Sequence, residues 1–199
     1  MSPFNRGETF PVEILTDNEA QSLIRACSSR APTGLRNRAL IVLLYRGGLR
    51  IGETLAIEPK DVDTASGAIR ILRGKGGKSR TVGIDAGAMS VVERWIDTRR
   101  KRGIRSNTLL CTLKGGQVSP AYVRKLLPRL ADRAGIEKRV HPHGLRHTHA
   151  AQLASEGVPL NIIARQLGHS NIATTSRYID HIAPHDVLDA MQSRQWTPN

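Results

Sequence analysis

The chain has 199 residues, 39% of them apolar, which is enough for one well-buried domain or at most two small ones and argues against disorder. Thirty Lys and Arg against 17 Asp and Glu give a net charge of +13, and this excess favours a polyanionic partner, because each phosphate neutralised releases a condensed counterion. The longest apolar run, Ala39 to Tyr45, is too short to span a bilayer, the amino end lacks the apolar stretch of a secretory signal, and aromatics at 4% are too sparse for a membrane-surface anchor.

A cytoplasmic protein without membrane association is therefore expected. Charge alone leaves open a ribosome-associated or merely basic protein. The two cysteines, Cys27 and Cys111, have neither metal-like nor redox-like spacing, so both read as buried small hydrophobes.

In chain order, Thr16 to Glu19 forms a capping box that opens an amphipathic helix. Ala20, Leu23, Ile24 and Cys27 then fall on one face of it. A second helix, from about Leu35 to Tyr45, is polar at first and then apolar all round, and suits the centre of the domain. Gly47 and Gly48 stop it, and a short helical piece restarts around Arg50. From Glu58 to Ile84 the period changes, and β-prone runs separated by turn residues predict a three-stranded antiparallel meander.

A helix from about Ala86 to Arg102 follows, with Met89, Val92, Trp95 and Ile96 on one face. Its end, Arg99 to Gly103, reads as a solvated basic terminus closed by glycine. Ser119 and Pro120 start another helix, which Pro128 should kink or end. Further helices are predicted at about Gly144 to Glu156, Pro159 to Leu167, Ile172 to Tyr178 and Pro184 to Met191. The fold class is α+β, mainly α-helical, with a small three-stranded antiparallel sheet.

The segment "ILRGKGGKSRTVGI", from Ile71 to Ile84, could be mistaken for a nucleotide loop. A phosphate loop needs glycine five positions before Gly77-Lys78-Ser79, where Leu72 stands, and a helix after it, where a strand pattern follows. No bound nucleotide is expected. The glycines suit a tight hairpin, and taken alone Lys75 and Lys78 are ordinary solvated turn lysines.

In "HPHGLRHTHA", His143 and Arg146 stand three apart at a helix start and so share a face. His143 and His147 have a zinc-like spacing, but no glutamate follows the first histidine and no further ligand stands close by. No metal or other cofactor is expected. In "LGHSNIATTSRY", Gly168 should close a helix in a left-handed cap and leave His169 at an exposed corner, with Tyr178 ending the next short helix.

Together these segments resemble the catalytic domain of the tyrosine recombinase family, the phage-integrase type, from roughly Thr16 to Met191. "GGLRIGE" resembles the family's first arginine box, which implies a catalytic Arg50 and a supporting Glu53. "RGKGGKSR" resembles the hairpin with the catalytic lysine, here Lys75, leaving Lys78 as a candidate phosphate contact. "HPHGLRH" gives His143 and Arg146, "LGHS" gives His169, and Tyr178, nine positions later, matches the nucleophile.

The chemistry such an enzyme needs agrees with these residue types. Breaking a phosphodiester requires a nucleophile, stabilisation of charge on the non-bridging oxygens, and a proton for the leaving oxygen. Tyrosine is the nucleophile, two arginines stay charged and offer planar forks of donors, and a lysine can serve as general acid. The resemblance implies His143 as proton acceptor, His169 as a further donor, and a 3′-phosphotyrosyl intermediate that rejoins strands without a nucleotide.

Residues 16–191 are read as the catalytic domain, 1–15 as an amino-terminal extension and 192–199 as a tail. Typical family members carry an additional amino-terminal DNA-binding domain. The chain is therefore expected to be either a fragment or similar to short members such as the fimbrial-switch invertases. Double-stranded DNA is the expected partner. Self-association into a tetramer on paired DNA sites follows from the resemblance, through the segment after Pro184.

Type IB topoisomerase-like strand relaxation and a non-catalytic DNA-binding regulator are the other functional classes on this fold. The compact "LGHS" box favours a recombinase over the first, and the full set of six residues disfavours the second.

Overall fold

The computed structural model describes residues 13–72 and 79–169. Its first helix, α1 (Asp17–Arg25), opens on the expected capping box. Thr16 Oγ1 accepts from the Glu19 amide at 3.2 Å, and Glu19 Oε2 accepts from the Thr16 amide at 2.7 Å. Ala20 and Leu23 are buried; Cys27 lies just past the helix end yet is also buried, as a free thiol. Burial pushes that thiol up to about 11, so it behaves as the small hydrophobe expected.

Helix α2 (Pro32–Tyr45) begins three residues earlier than the apolar run suggests. Proline at its first turn lacks only an N–H that would have no intrahelical partner. Gly34 is required there, because any Cβ would collide with the backbone of Ser28. From Ala39 to Tyr45 every side chain of α2 is buried, and the helix packs on α4 (Ala86–Lys101) and α6 (Pro142–Ser155) as the axis of the core.

After α3 (Ile51–Ala56) and a 3₁₀ turn (Pro59–Asp61), strands β1 (Val62–Asp63), β2 (Ala68–Ile71) and β3 (Arg80–Gly83) form the predicted antiparallel meander. Its register pairs Val62 with Ile69, Ile69 with Val82 and Ile71 with Arg80. Ile69, Ile71 and Val82 face the core while Arg70 and Thr81 face out, the period-2 alternation of a half-buried sheet. The β2–β3 pairing brackets the hairpin; Lys75 and Lys78 lie outside the described residues.

One local expectation needs correction. Arg99 is not part of a solvated basic end. It is buried, and its guanidinium donates to the carbonyls of Ser106, Thr108 and Leu109 in the loop after α4. That loop must turn back under Trp95, whose indole also donates to Leu109, and the arginine supplies donors to the Ser106 and Thr108 carbonyls.

Of the two outcomes expected at Pro128, a kink or an end, the end does not occur; α5 runs from Pro120 to Ala134. An internal proline costs roughly 3 kcal/mol, but Leu126, Leu127 and Leu130 are all buried. At roughly 1.5–3 kcal/mol for each buried leucine, packing outweighs the break.

The last described helix, α7 (Leu160–Leu167), is held on α6 by a small second cluster of Ala150, Ile163 and Leu167. Among the described residues no helix is long and apolar enough to cross a membrane. The segments at 172–178 and 184–191 lie outside them.

Candidate active site

The chain leaves α2 through Gly47 and Gly48. Gly48 has φ +59°, and an added Cβ would strike the His149 ring on α6 and approach Leu167 Cδ2 at 3.0 Å. Only glycine fits a turn pressed this closely on two helices. Leu49, fully buried, pins the turn to the core.

Arg50 then occupies the N-cap position of α3, in extended conformation, with Glu53 three residues on. Glu53 Oε2 accepts from the Arg50 amide at 3.0 Å, and Oε1 accepts from Arg50 Nη1 at 2.9 Å. The carboxylate therefore caps the helix and aims the arginine at once. About 32% of the Arg50 side chain remains exposed.

Arg80 on β3 grips the same carboxylate with two parallel bonds, Nη1 to Oε1 at 2.8 Å and Nη2 to Oε2 at 2.9 Å. Burial alone would raise the Glu53 carboxyl. The hydrogen bonds from Arg80 and Arg50 overcome it and hold the group at about 2.

Helix α6 begins on His141, whose Nδ1 accepts from the Gly144 amide at 3.1 Å. Pro142 fills its first turn, and the following residues bury Arg146 to 1% exposure. Arg146 Nη1 donates to the Gly48 carbonyl at 2.6 Å, and Nη2 donates to the Leu167 carbonyl at 2.6 Å. The same Nη2 lies 3.0 Å from His169 Nε2. Guanidinium can only donate, so Nε2 is the acceptor and the His169 proton sits on Nδ1.

Gly168, with φ 66° and ψ 47°, turns the chain off α7 in the expected left-handed cap. The corner is not exposed, however. His169 is half-buried because Arg146 draws its ring inward.

His143 is on the exposed side of α6, its ring edge-on to His147 with centroids 4.2 Å apart. Partial desolvation, then the charges of Arg146, His141 and Arg50, lower its pKa. His169 is lowered to about 4 by burial and then by Arg146, Arg50 and Arg80, and His147 to about 4 by burial and then by the neighbouring histidines and Arg146. Both are neutral at physiological pH, as a site crowded with arginines requires. Among the described residues no group of three His, Cys, Asp or Glu side chains could hold a metal ion.

The fold thus gathers Arg50, Glu53, His143, Arg146 and His169 from three chain segments into one electrostatically coupled cluster. Tyr178 lies outside the described residues. Two members of the cluster were missed in the sequence. Arg80 carried a usable signal, since strand alternation places it on the same inward face as Val82, where a cation needs a buried acid. Gln166 carried none. Its side chain accepts from the Gly83 amide at 3.1 Å and donates to the carbonyls of Gly83 at 2.7 Å and Gly47 at 3.3 Å.

A model of the phage integrase family matches residues 13–185. The "Tyrosine recombinase XerC" of Halalkalibacterium halodurans is 33% identical over 187 residues, covering 90% of this chain and 61% of that protein. The chain therefore spans less than two thirds of that curated relative. Among solved structures, the XerA recombinase superposes with a TM-score of 0.80 at 28% identity, covering 95% of this chain and 68% of the other. The XerH site-specific recombinase, in a post-cleavage complex with its palindromic difH substrate, gives 0.75 at 27% identity over 92% of this chain and 53% of the other.

Proposed function

The chain belongs to the phage integrase family of tyrosine recombinases, and from that premise we propose that it is a site-specific recombinase or integrase that cleaves and rejoins double-stranded DNA. The observation that carries the reading is the cluster of Arg50, Arg146 and His169, two arginines held by buried partners beside a neutral imidazole.

Tyr178 attacks the scissile phosphorus. Its oxygen forms the new bond to phosphorus as the bond to the 5′ oxygen breaks, leaving a 3′-phosphotyrosyl link and a free 5′ hydroxyl. His143, neutral at pH 7, takes the tyrosine proton. Lys75 supplies a proton to the 5′ oxygen, and Lys78 contacts backbone phosphate. Arg50 and Arg146 stabilise charge on the non-bridging oxygens, with a further donor from His169. Glu53 supports by holding Arg50. Rejoining is the reverse attack by a 5′ hydroxyl, so the phosphodiester energy is kept in the protein–DNA bond.

Residues 16–191 form the catalytic domain in this reading, flanked by 1–15 and 192–199. Recombination pairs two DNA sites in a tetramer of this chain, and the protein works in the cytoplasm on DNA. The test uses a supercoiled plasmid carrying the chromosomal DNA on both sides of the coding frame. The wild type should form a detergent-stable covalent complex with it, and Tyr178→Phe should form none. A complex that persists in Tyr178→Phe would show that another group is the nucleophile.

A further inference from the structure

Between the catalytic candidates lies a layer of side chains that would not itself touch DNA phosphate. Arg80 spends Nη1 and Nη2 on Glu53 and gives Nε to the Gln166 carbonyl at 3.3 Å. Its side chain passes directly beneath Gly168, where an added Cβ would meet Arg80 Cζ and Nε at 2.8 Å. The arginine therefore reaches two places at once: the carboxylate that aims Arg50, and the turn that presents His169. Gln166 ties that turn to both neighbours, through the two backbone groups of Gly83 on β3 and the Gly47 carbonyl beside the Arg50 box.

We propose that Arg80, seconded by Gln166, is a positioning residue for phosphodiester cleavage, locking the Arg50–Glu53 box and the Gly168–His169 turn into one rigid frame around the scissile phosphate. The inference rests on the recombinase reading above for its chemistry, and on the hydrogen bonds alone for its geometry. A plain salt bridge at this place would need only charge. The two parallel bonds to Glu53 and the close pass under Gly168 need the planar fork, which lysine lacks.

The test measures single-turnover formation of the covalent complex on the flanking-DNA plasmid, with plasmid affinity measured separately. Arg80→Gln should slow cleavage of bound DNA by about 10- to 100-fold, the loss expected when reacting groups shift by about an ångström. Arg80→Lys should recover only part of it. Affinity should change less than about twofold, because the frame acts in the transition state rather than in binding. Adding Arg80→Gln to Arg50→Ala should cost less than about threefold more, since Arg80 acts through Arg50 and His169.

Unchanged cleavage, or a loss that multiplies fully with that of Arg50→Ala, overturns the proposal. Gln166→Leu, which spares the Glu53 pair and so the buried charge, should slow cleavage in the same direction by about 3- to 10-fold; wild-type cleavage in it removes Gln166 from the frame. If the wild type forms no covalent complex, the recombinase reading fails, and imidazole NMR still decides the geometry. The His169 titration midpoint, held at about 4 in part by Arg80, should rise in Arg80→Gln while that of His141 stays. A His169 midpoint that does not move refutes the frame.

Discussion

Arg146 Nη2 and His169 Nε2 stand 3.0 Å apart, and because guanidinium has no acceptor, the histidine must offer its lone pair. The relationship sets the tautomer. Nitrogen NMR of the labelled chain should show His169 protonated at Nδ1 and bare at Nε2 at pH 7, with its midpoint at about 4. An Nε2–H tautomer, or a midpoint near the ordinary 6.5, would mean that the contact does not form in solution.

His149 lies against Gly48 with both ring nitrogens buried and, among the described residues, without a hydrogen-bond partner. Burial first, then the charges of Arg46 and Arg146, lower it to about 4, against an opposing pull from Asp85. The unfolded chain binds this proton near 6.5, so between pH 6.5 and 4 unfolding takes up a proton that the folded state refuses. Stability is therefore full above 6.5 and falls as pH drops toward 4, by about 3 kcal/mol for a shift of this size. His149→Phe, which keeps a ring against Gly48, should flatten the melting temperature across that window relative to the wild type. An unchanged pH slope would show that another group carries the acid sensitivity; His147 and His169, shifted the same way, are the next to test.

If Lys75 protonates the leaving oxygen, Lys75→Ala should lose roughly 10²- to 10⁴-fold in the cleavage rate, the usual range for a general acid. A duplex whose 5′ bridging oxygen is replaced by sulfur needs no proton to expel its leaving group, and it should restore most of that rate. Equal losses on both substrates would move Lys75 from acid to phosphate contact, the role given to Lys78.

Local signals in the chain were enough for most elements. The Thr16–Glu19 box, the all-apolar stretch of α2, the alternating strand runs and the Ser119–Pro120 start each act over a few residues, and each formed as read. The readings that failed were those in which a contact made only on folding outweighs local preference. Arg99 turns inward to carbonyls of its own following loop. His169 leaves the solvent because Arg146, 23 residues earlier, holds it.

The candidate site divides in the same way. Arg50, Glu53, His143, Arg146 and His169 were named by the resemblance of three short motifs to the tyrosine recombinase family, and each taken alone read as an ordinary residue. Nothing along the chain could show that Glu53 is shared between Arg50 and Arg80, 27 residues beyond it, or that Gln166 staples β3 to the Gly47 turn. Those contacts exist only once α7 has packed on α6 and against β3. A hydrogen bond acts over about 3 Å, so its partners are decided by folding and cannot be read from separation in the chain.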